Sequence, residues 1–254
     1  MPWFKGILRE GYIDCLNNIH RFLEPYRNIA PVIYDWAQRH QVNTLLDIGS
    51  GGGMQIATLL QYQETTPEQP LRFVLSDLYP QVANYEHLKN QHEANVIDYI
   101  ASPVPIRHLP QSYRYLSIFS AFHHFHPKDA AGLLNEVVMN RNGFCIVEFT
   151  ERNWINLFSM IPAFFLNLLA PLTAPKFRWS KVLLGTVFPL IPLLVCFDGL
   201  VSVLRSYKVE ELLDMIPSEA KNNFVIEYGS VPWGRLPLSR ANYFFLAKKQ
   251  TALS

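Results

Sequence analysis

The residues best suited to chemistry begin with a glycine-rich segment, TLLDIGSGGG, at residues 44–53. Glycines at positions 49, 51 and 53 allow a backbone to turn tightly and to approach a ligand closely. A helix predicted to follow would present unpaired N–H groups at its N-terminus, where phosphates and other polar groups bind. Gly49, Gly51 and Gly53 therefore predict a binding loop for a nucleotide-like ligand.

Two acidic residues accompany this loop. Asp47 stands two residues before Gly49, and Asp77 ends the next apolar run, VLSD. A carboxylate can accept hydrogen bonds from both hydroxyls of a ribose, and an acid roughly twenty residues after such a loop is placed to do so. The dinucleotide fingerprint requires a third glycine at position 54, where this chain has Met54.

Three histidines and a glutamate follow two later apolar runs. His123, His124 and His126 lie in SAFHHFHP, and Glu148 ends GFCIVE. An imidazole accepts a proton near neutral pH, so His123 and His124 are the first candidate bases and Glu148 is the third. The structural alternative is that the histidines pack the loop and Glu148 pairs with Arg152. A metal site is not predicted, because adjacent residues on a turn rarely converge on one ion.

Strands and helices that alternate along the chain must position these residues. Five strands are predicted at 44–48, 71–76, 95–100, 115–120 and 143–149, with helices at 53–62, 80–91 and 127–139. This order predicts a parallel α/β sheet with right-handed crossovers. Two final strands, at 223–228 and 242–248, have no helix between them and predict an antiparallel pair at the sheet edge.

The chain divides into three predicted parts. Residues 1–43 form a helical cap interrupted by prolines, residues 44–150 and 206–254 form the core, and residues 151–205 form an apolar insertion. Two tracts without charge, 155–175 and 182–197, are joined by KFRWSK, whose basic residues and tryptophan are typical of a lipid-headgroup anchor. The insertion is interpreted as a hairpin in peripheral contact with a membrane through 155–197. The alternatives are a soluble substrate lid and a pair of membrane spans.

The motifs DIGSGGG and VLSDLYP, in this order of strands, resemble those of class I S-adenosylmethionine-dependent methyltransferases over most of the chain. The resemblance implies a Rossmann-like sheet of seven strands, mostly parallel, and S-adenosylmethionine as the cofactor. The segments FHHFHP, EFTERN and FRWSK further resemble a bacterial subgroup of this family, which implies no particular acceptor.

The resemblance also implies a role for each matching residue. Gly49, Gly51 and Gly53 would lie beside the methionine part of the cofactor, and Asp47 would organise the loop and the cofactor's amino group. The remaining cofactor contacts implied are Asp77 to the ribose, Leu78 beside the adenine, and Ser120 with Ala121 and Phe122 nearest the cofactor. Many members place an acid where this chain has Pro105, so the adenine contact would come from the backbone or from Ser102.

The composition limits the functional classes. A net charge of +1 gives no electrostatic basis for binding nucleic acid. Three widely spaced cysteines and an N-terminus without a secretory pattern predict the cytoplasm, at the inner face of the membrane if the insertion contacts lipid. The predicted function is methyl transfer to a small, hydrophobic or lipid-like acceptor. The alternatives are a nicotinamide-dependent oxidoreductase and a non-catalytic membrane-associated adaptor with this fold.

Within the insertion, the polar residues Asp198 and Arg205 stand in an apolar neighbourhood, and a structural ion pair between them is expected.

Overall fold

The computed structural model describes residues 6–66, 70–93, 95–173 and 177–249. Parts of the predictions fall outside these ranges: residues 1–5 of the cap, residues 67–69, 94 and 250–254 of the core, and residues 174–176 of the insertion, which include Lys176 of the basic linker.

The N-terminal region is helical, as predicted, and breaks near Pro25. Helix α1 (Ile7–Leu23) ends at Glu24, which adopts a left-handed conformation with φ of 45°. Helix α2 (Ala30–Arg39) begins just before Pro31, where a missing N–H costs nothing. The second proline therefore starts a helix rather than interrupting one.

The described residues contain one sheet of seven strands. The strands are β1 (Thr44–Ile48), β2 (Arg72–Ser76), β3 (Ile97–Tyr99), β4 (Tyr115–Phe119), β5 (Gly143–Glu148), β6 (Phe224–Trp233) and β7 (Leu236–Lys248). Their order is β3-β2-β1-β4-β5-β7-β6, in which β1 to β5 are parallel and β7 is antiparallel to both neighbours. The predicted fold class is confirmed. The last two strands are longer than predicted because a tight turn containing Gly234 joins them.

Helices cover both faces of the sheet. Besides α2, those packed around it are α3 (Met54–Thr65), α4 (Val82–Gln91), α5 (Pro127–Asn140), α10 (Val209–Met215) and α11 (Ser218–Lys221). Successive strand residues point to opposite faces, so Leu45 joins the core beneath α2 and α3 while Leu46 joins the core beneath α5. The sheet is therefore buried on both faces, and the candidate site residues follow the carboxyl ends of its strands.

The described residues between β5 and α10 form four further helices. They are α6 (Trp154–Leu168), α7 (Ala170–Thr173), α8 (Trp179–Val182, continued by a π-helical turn at Leu183–Val187) and α9 (Leu190–Arg205). Helices α6 and α9 pack on each other, and α1 packs against α7, α8 and α9. Within the described residues, no single helix is long and apolar enough to cross a membrane. Trp179–Val187 and Leu190–Arg205 reach that length and composition only as a pair bent by 59°.

Candidate active site

The glycine loop connects β1 to α3 in a conformation that L-residues rarely adopt. Gly49, Gly51 and Gly53 have φ angles of 70°, 53° and 80°. A Cβ at Gly53 would lie 2.9 Å from Leu75 Cδ2, so packing requires this glycine. A Cβ at Gly51 would meet no atom within 4 Å. The loop is thus packed on one side at Gly53 and open at Gly51, which fits a ligand lying against its backbone.

Asp47 lies beneath this loop and is fully buried. Its Oδ2 accepts a hydrogen bond from Ser50 Oγ at 2.6 Å, and its Oδ1 accepts one from Ser117 Oγ at 3.0 Å. Burial raises the pKa of Asp47 to about 7, although these hydrogen bonds act in the opposite direction. The contacts show how Asp47 holds the loop on β1 and β4, whereas its contact with the cofactor's amino group stays a prediction.

Asp77 connects the glycine loop to the end of β2. Its Oδ2 accepts the Gly51 N–H at 2.8 Å, and its Oδ1 accepts the Tyr79 N–H at 2.7 Å. The hydroxyl of Tyr85 donates to the Gly51 carbonyl at 2.9 Å, which fixes the next peptide group along the loop. Each carboxylate oxygen of Asp77 retains a second acceptor position, so the predicted ribose contact is compatible with both backbone bonds.

The other predicted cofactor contacts follow the carboxyl ends of β2, β3 and β4. Leu78 is 47% exposed, and Ser102 is exposed in the loop after β3. Ser120 directly follows β4 with φ of 51°, a left-handed conformation that is strained for serine. Ligands bind at this edge of open α/β sheets. The structure therefore places these residues on the same side as the glycine loop, and their contacts with a cofactor stay predictions.

Tyr26 belongs to this region, although no role was predicted for it. It is 2% exposed, and its hydroxyl donates to Ser120 Oγ at 3.3 Å. Its ring meets Phe119 and Phe149 edge-on, between β4 and β5. The sequence contains no signal for this contact, because Tyr26 precedes Ser120 by 94 residues.

Glu148 holds the turn Phe122–His124, called here the histidine turn. Its Oε1 accepts the N–H groups of Phe122 and His123 at 2.7 and 3.2 Å, and its Oε2 lies 2.8 Å from His123 Nδ1. His123 and Glu148 are only 5% and 9% exposed. The expected pairing of Glu148 with Arg152 is wrong, because Arg152 instead forms an ion pair with Glu211.

His124 is the one predicted catalytic residue with an exposed side chain. Its ring lies 4.3 Å from that of His123, centroid to centroid. Desolvation and the neighbouring His123 hold the pKa of His124 below its usual value, and Asp198 acts in the opposite direction. The imidazole is therefore neutral, and able to accept a proton, at neutral pH.

The insertion contacts this turn through α9. Arg205 donates to the His124 carbonyl at 2.7 Å, and Asp198 accepts a hydrogen bond from the Tyr12 hydroxyl at 2.6 Å. The expected ion pair between Asp198 and Arg205 is therefore wrong. Arg205 instead joins the insertion to the histidine turn, and Asp198 joins it to α1.

No group of three or more histidine, cysteine or acidic residues is arranged to hold a metal ion in the described part of the chain. A separate concavity of about 710 Å³ lies between the turn Ile106–His108 and α5, and its lining includes none of the predicted site residues. The glycine loop and the histidine turn therefore remain the candidate site.

Comparison with known proteins gives matches of structure only. No family model matches the sequence, and no curated protein matches it. The plantazolicin methyltransferase BpumL in complex with SAH superposes with a TM-score of 0.50 at 12% identity, over 95% of this chain and 98% of that one. The methyltransferase domain of bacterial CtHen1-C has a TM-score of 0.51 at 7% identity, over 88% of this chain and 98% of that one. A putative O-methyltransferase from Nostoc punctiforme has a TM-score of 0.50 at 14% identity, over 88% of this chain and 57% of that one.

At these identities the similarity establishes the fold. The chain has the fold of class I S-adenosylmethionine-dependent methyltransferases, with the glycine loop after β1 and an acid after β2. The resemblance inferred from the motifs is confirmed at the level of fold.

Proposed function

We propose that the protein transfers the methyl group of S-adenosylmethionine to a small hydrophobic acceptor. The observation that carries this proposal is the hydrogen bond between Asp77, which follows β2, and the glycine loop, which follows β1. The Asp77 carboxylate accepts the Gly51 N–H at 2.8 Å, and a Cβ on Gly51 would meet no atom within 4 Å. An acid that can bind a ribose thus adjoins an open backbone surface that can accommodate the rest of the cofactor.

The residues of this edge fit S-adenosylmethionine. The glycine loop would hold its methionine part, Asp77 its ribose, and Leu78 with Ser102 its adenine, while Ser120 would lie nearest the reacting centre. When bound, the cofactor supplies a sulfonium methyl group that is already activated for transfer. The protein's contribution is therefore to orient the acceptor and to exclude water.

His124 is the residue proposed to move a proton. A hydroxyl acceptor must lose a proton when it is methylated, and a neutral imidazole nitrogen can take it. The lowered pKa of His124 keeps the ring neutral near pH 7. His123 and Glu148 are proposed as positioning residues, because their buried contact holds the turn from which His124 projects.

The apolar insertion supports a hydrophobic acceptor. It follows β5 directly, and Arg205 on its last helix donates a hydrogen bond to the His124 carbonyl. The insertion therefore adjoins the histidine turn, and the lack of charge in its tracts 155–173 and 182–197 favours a hydrophobic acceptor. We also propose a cytoplasmic location at a membrane surface. Cys15, Cys145 and Cys196 are free, which is typical of a reducing compartment.

Titration calorimetry tests the cofactor. We expect the full-length protein to bind S-adenosylmethionine and not a nicotinamide dinucleotide, because Met54 replaces the third glycine of the dinucleotide fingerprint. Asp77→Ala should abolish this binding. Asp98→Ala is the matched control: Asp98 lies on β3 and pairs with Arg72 and Lys89 at the surface.

Failure of the folded protein to bind S-adenosylmethionine would refute the proposed function. Unchanged affinity in Asp77→Ala would refute the assignment of the ribose site alone.

A further inference from the structure

We propose that the insertion docks on the surface of a lipid bilayer through one apolar face, the insertion face. This face consists of large apolar side chains on α6 to α9 and on the residues that connect these helices, and they are 39–79% exposed. Its members are Trp154, Ile155, Phe158, Ile161, Phe165, Leu169, Leu172, Phe177, Trp179, Leu183, Val187, Phe188, Leu190, Leu193, Phe197, Leu200 and Leu204. The proposal does not depend on methyl transfer.

Helix α6 has the reverse of the polarity expected in water. Its exposed residues are all apolar, whereas its buried residues are Asn156 and Asn167. The Asn156 amide donates to the Glu151 carbonyl at 3.2 Å, and the Asn167 amide donates to the Ala163 carbonyl at 2.9 Å. The polar side chains thus bond to backbone inside the protein, and the aromatic side chains face outward.

Helix α9 continues the same face. Leu193, Phe197, Leu200 and Leu204 recur at intervals of three and four residues and are exposed, which makes one stripe of the helix. The opposite side is buried, with Ile191 and Val195 packed against α1. Because α6 and α9 pack on each other, their outward stripes lie on neighbouring helices.

The size of the insertion face exceeds what an ordinary surface carries. Seventeen side chains, each about half exposed, present on the order of 1,000 Å² of apolar surface. The largest apolar patch on a typical monomer is about 300–600 Å² and is often functional. A surface of this size therefore requires an apolar partner.

The chemistry of the face favours lipid over a second protein. Residues 155–173 and 182–197 contain no charged residue, and the exposed residues of α6 carry no hydrogen-bonding side chain apart from Trp154. A protein interface normally forms about one hydrogen bond per 100–200 Å². Acyl chains form none, so a bilayer is the partner that such a face fits without loss.

The edges of the face match the boundary between lipid and water. Trp154 and Trp179 are 74% and 79% exposed and begin α6 and α8. Tryptophan favours the headgroup level of a membrane. Arg178 precedes Trp179, and its ion pair with Glu10 holds it beside α1 with about half of its side chain exposed. Lys181 of the same linker is buried and paired with Asp14, so the expectation that it binds headgroups is wrong. Trp154, Trp179 and Arg178 are the groups that border the apolar face.

The lengths of the helices indicate a surface contact rather than a span. Helices α6 and α9 have 15 and 16 residues, which corresponds to roughly 22 and 24 Å. The hydrocarbon core is about 30 Å thick. An in-plane arrangement, with the apolar stripes immersed and the rest of the protein in water, satisfies both the length and the polarity.

Vesicle flotation tests this proposal with full-length protein purified without detergent. The probe is vesicles of phosphatidylethanolamine and phosphatidylglycerol at a ratio of 3:1. We expect the wild-type protein to float with the vesicles and Phe158→Glu/Phe165→Glu to lose at least tenfold in binding. Met139→Glu is the matched control, because Met139 is 72% exposed on α5, outside the insertion face. Circular dichroism and thermal unfolding confirm that each variant is folded.

Three results would overturn the proposal. The first is a wild-type protein that stays in the vesicle-free fraction, and the second is a double variant that floats as well as the wild type. The third is a dimer, measured by light scattering, that Phe158→Glu/Phe165→Glu converts to a monomer; this would identify a second copy as the occupant. Brominated lipids should quench tryptophan fluorescence in the wild type, and the quenching should disappear in Trp154→Phe/Trp179→Phe.

Discussion

Removing the Glu148 carboxylate gives the sharpest test of how the histidine turn is held. Glu148→Ala leaves three donors without an acceptor: the N–H groups of Phe122 and His123 and the His123 ring nitrogen. All three lie in a buried environment, where an unpaired donor costs about 1–3 kcal/mol. We expect Glu148→Ala to lower the free energy of unfolding by about 3–9 kcal/mol, which is the sum for three donors and a large part of the roughly 5–15 kcal/mol typical of a domain.

Glu148→Gln separates hydrogen bonding from charge. The glutamine carbonyl can accept both backbone N–H groups, and its amide can donate to the His123 ring in the other tautomer. We therefore expect a loss below about 1.5 kcal/mol. Urea unfolding followed by circular dichroism measures both variants.

Two outcomes would refute the reasoning about Glu148. A loss below about 1 kcal/mol in Glu148→Ala would show that the three donors are not held as the structure has them. Equal losses in the alanine and glutamine variants would show that negative charge, and not the number of hydrogen bonds, stabilises the turn.

Three further predictions concern the loop and the histidines. Because burial raises the pKa of Asp47 to about 7, the folded protein keeps a proton that the unfolded chain loses above about pH 4, so stability falls by roughly 4 kcal/mol between pH 4 and 7. Asp47→Asn should remove this loss, and a wild-type-to-variant difference that is constant with pH in urea unfolding contradicts it. Gly53→Ala should lower the free energy of unfolding by about 2 kcal/mol through strain and crowding, whereas Gly51→Ala should lower it by about 1 kcal/mol. Gly51→Ala should nevertheless weaken S-adenosylmethionine binding at least tenfold by calorimetry. Equal effects of the two variants on stability would contradict the packing argument. His124→Ala should reduce transfer of labelled methyl groups to a lipid extract by about 100-fold. It should also remove the acid limb of the pH profile, which protonation of this imidazole produces and which its lowered pKa moves toward acid. His126→Ala keeps both, and activity that survives in His124→Ala excludes this base.

Much of the sheet could be predicted from the sequence, because its signals are local. Apolar runs such as TLLDI and GFCIVE match β1 and β5 to within one residue. The glycine pattern predicted backbone angles that few other residues adopt, and Gly49, Gly51 and Gly53 all have positive φ. Asp77 follows β2 directly, so the parallel order of the strands was enough to bring it to the same edge as the loop.

Partners of individual side chains could not be predicted in the same way. Arg152 stands four residues after Glu148, but the chain turns toward α6 there, and Arg152 reaches Glu211 instead. Glu148 contacts His123, which is 25 residues away in sequence and adjacent only because β4 and β5 are neighbours in the sheet. Proximity along the chain does not determine proximity between strand ends.

The parallel α/β order, the glycine loop, its two acids and the two uncharged tracts of the insertion follow from the sequence alone. Only the tertiary structure decided that Tyr26 reaches Ser120, that Glu148 holds the histidine turn, and that α6 buries its asparagines and exposes its aromatic residues. The physical reason is that composition and periodicity act within a segment, whereas partners and exposure depend on which segments the folded chain packs together.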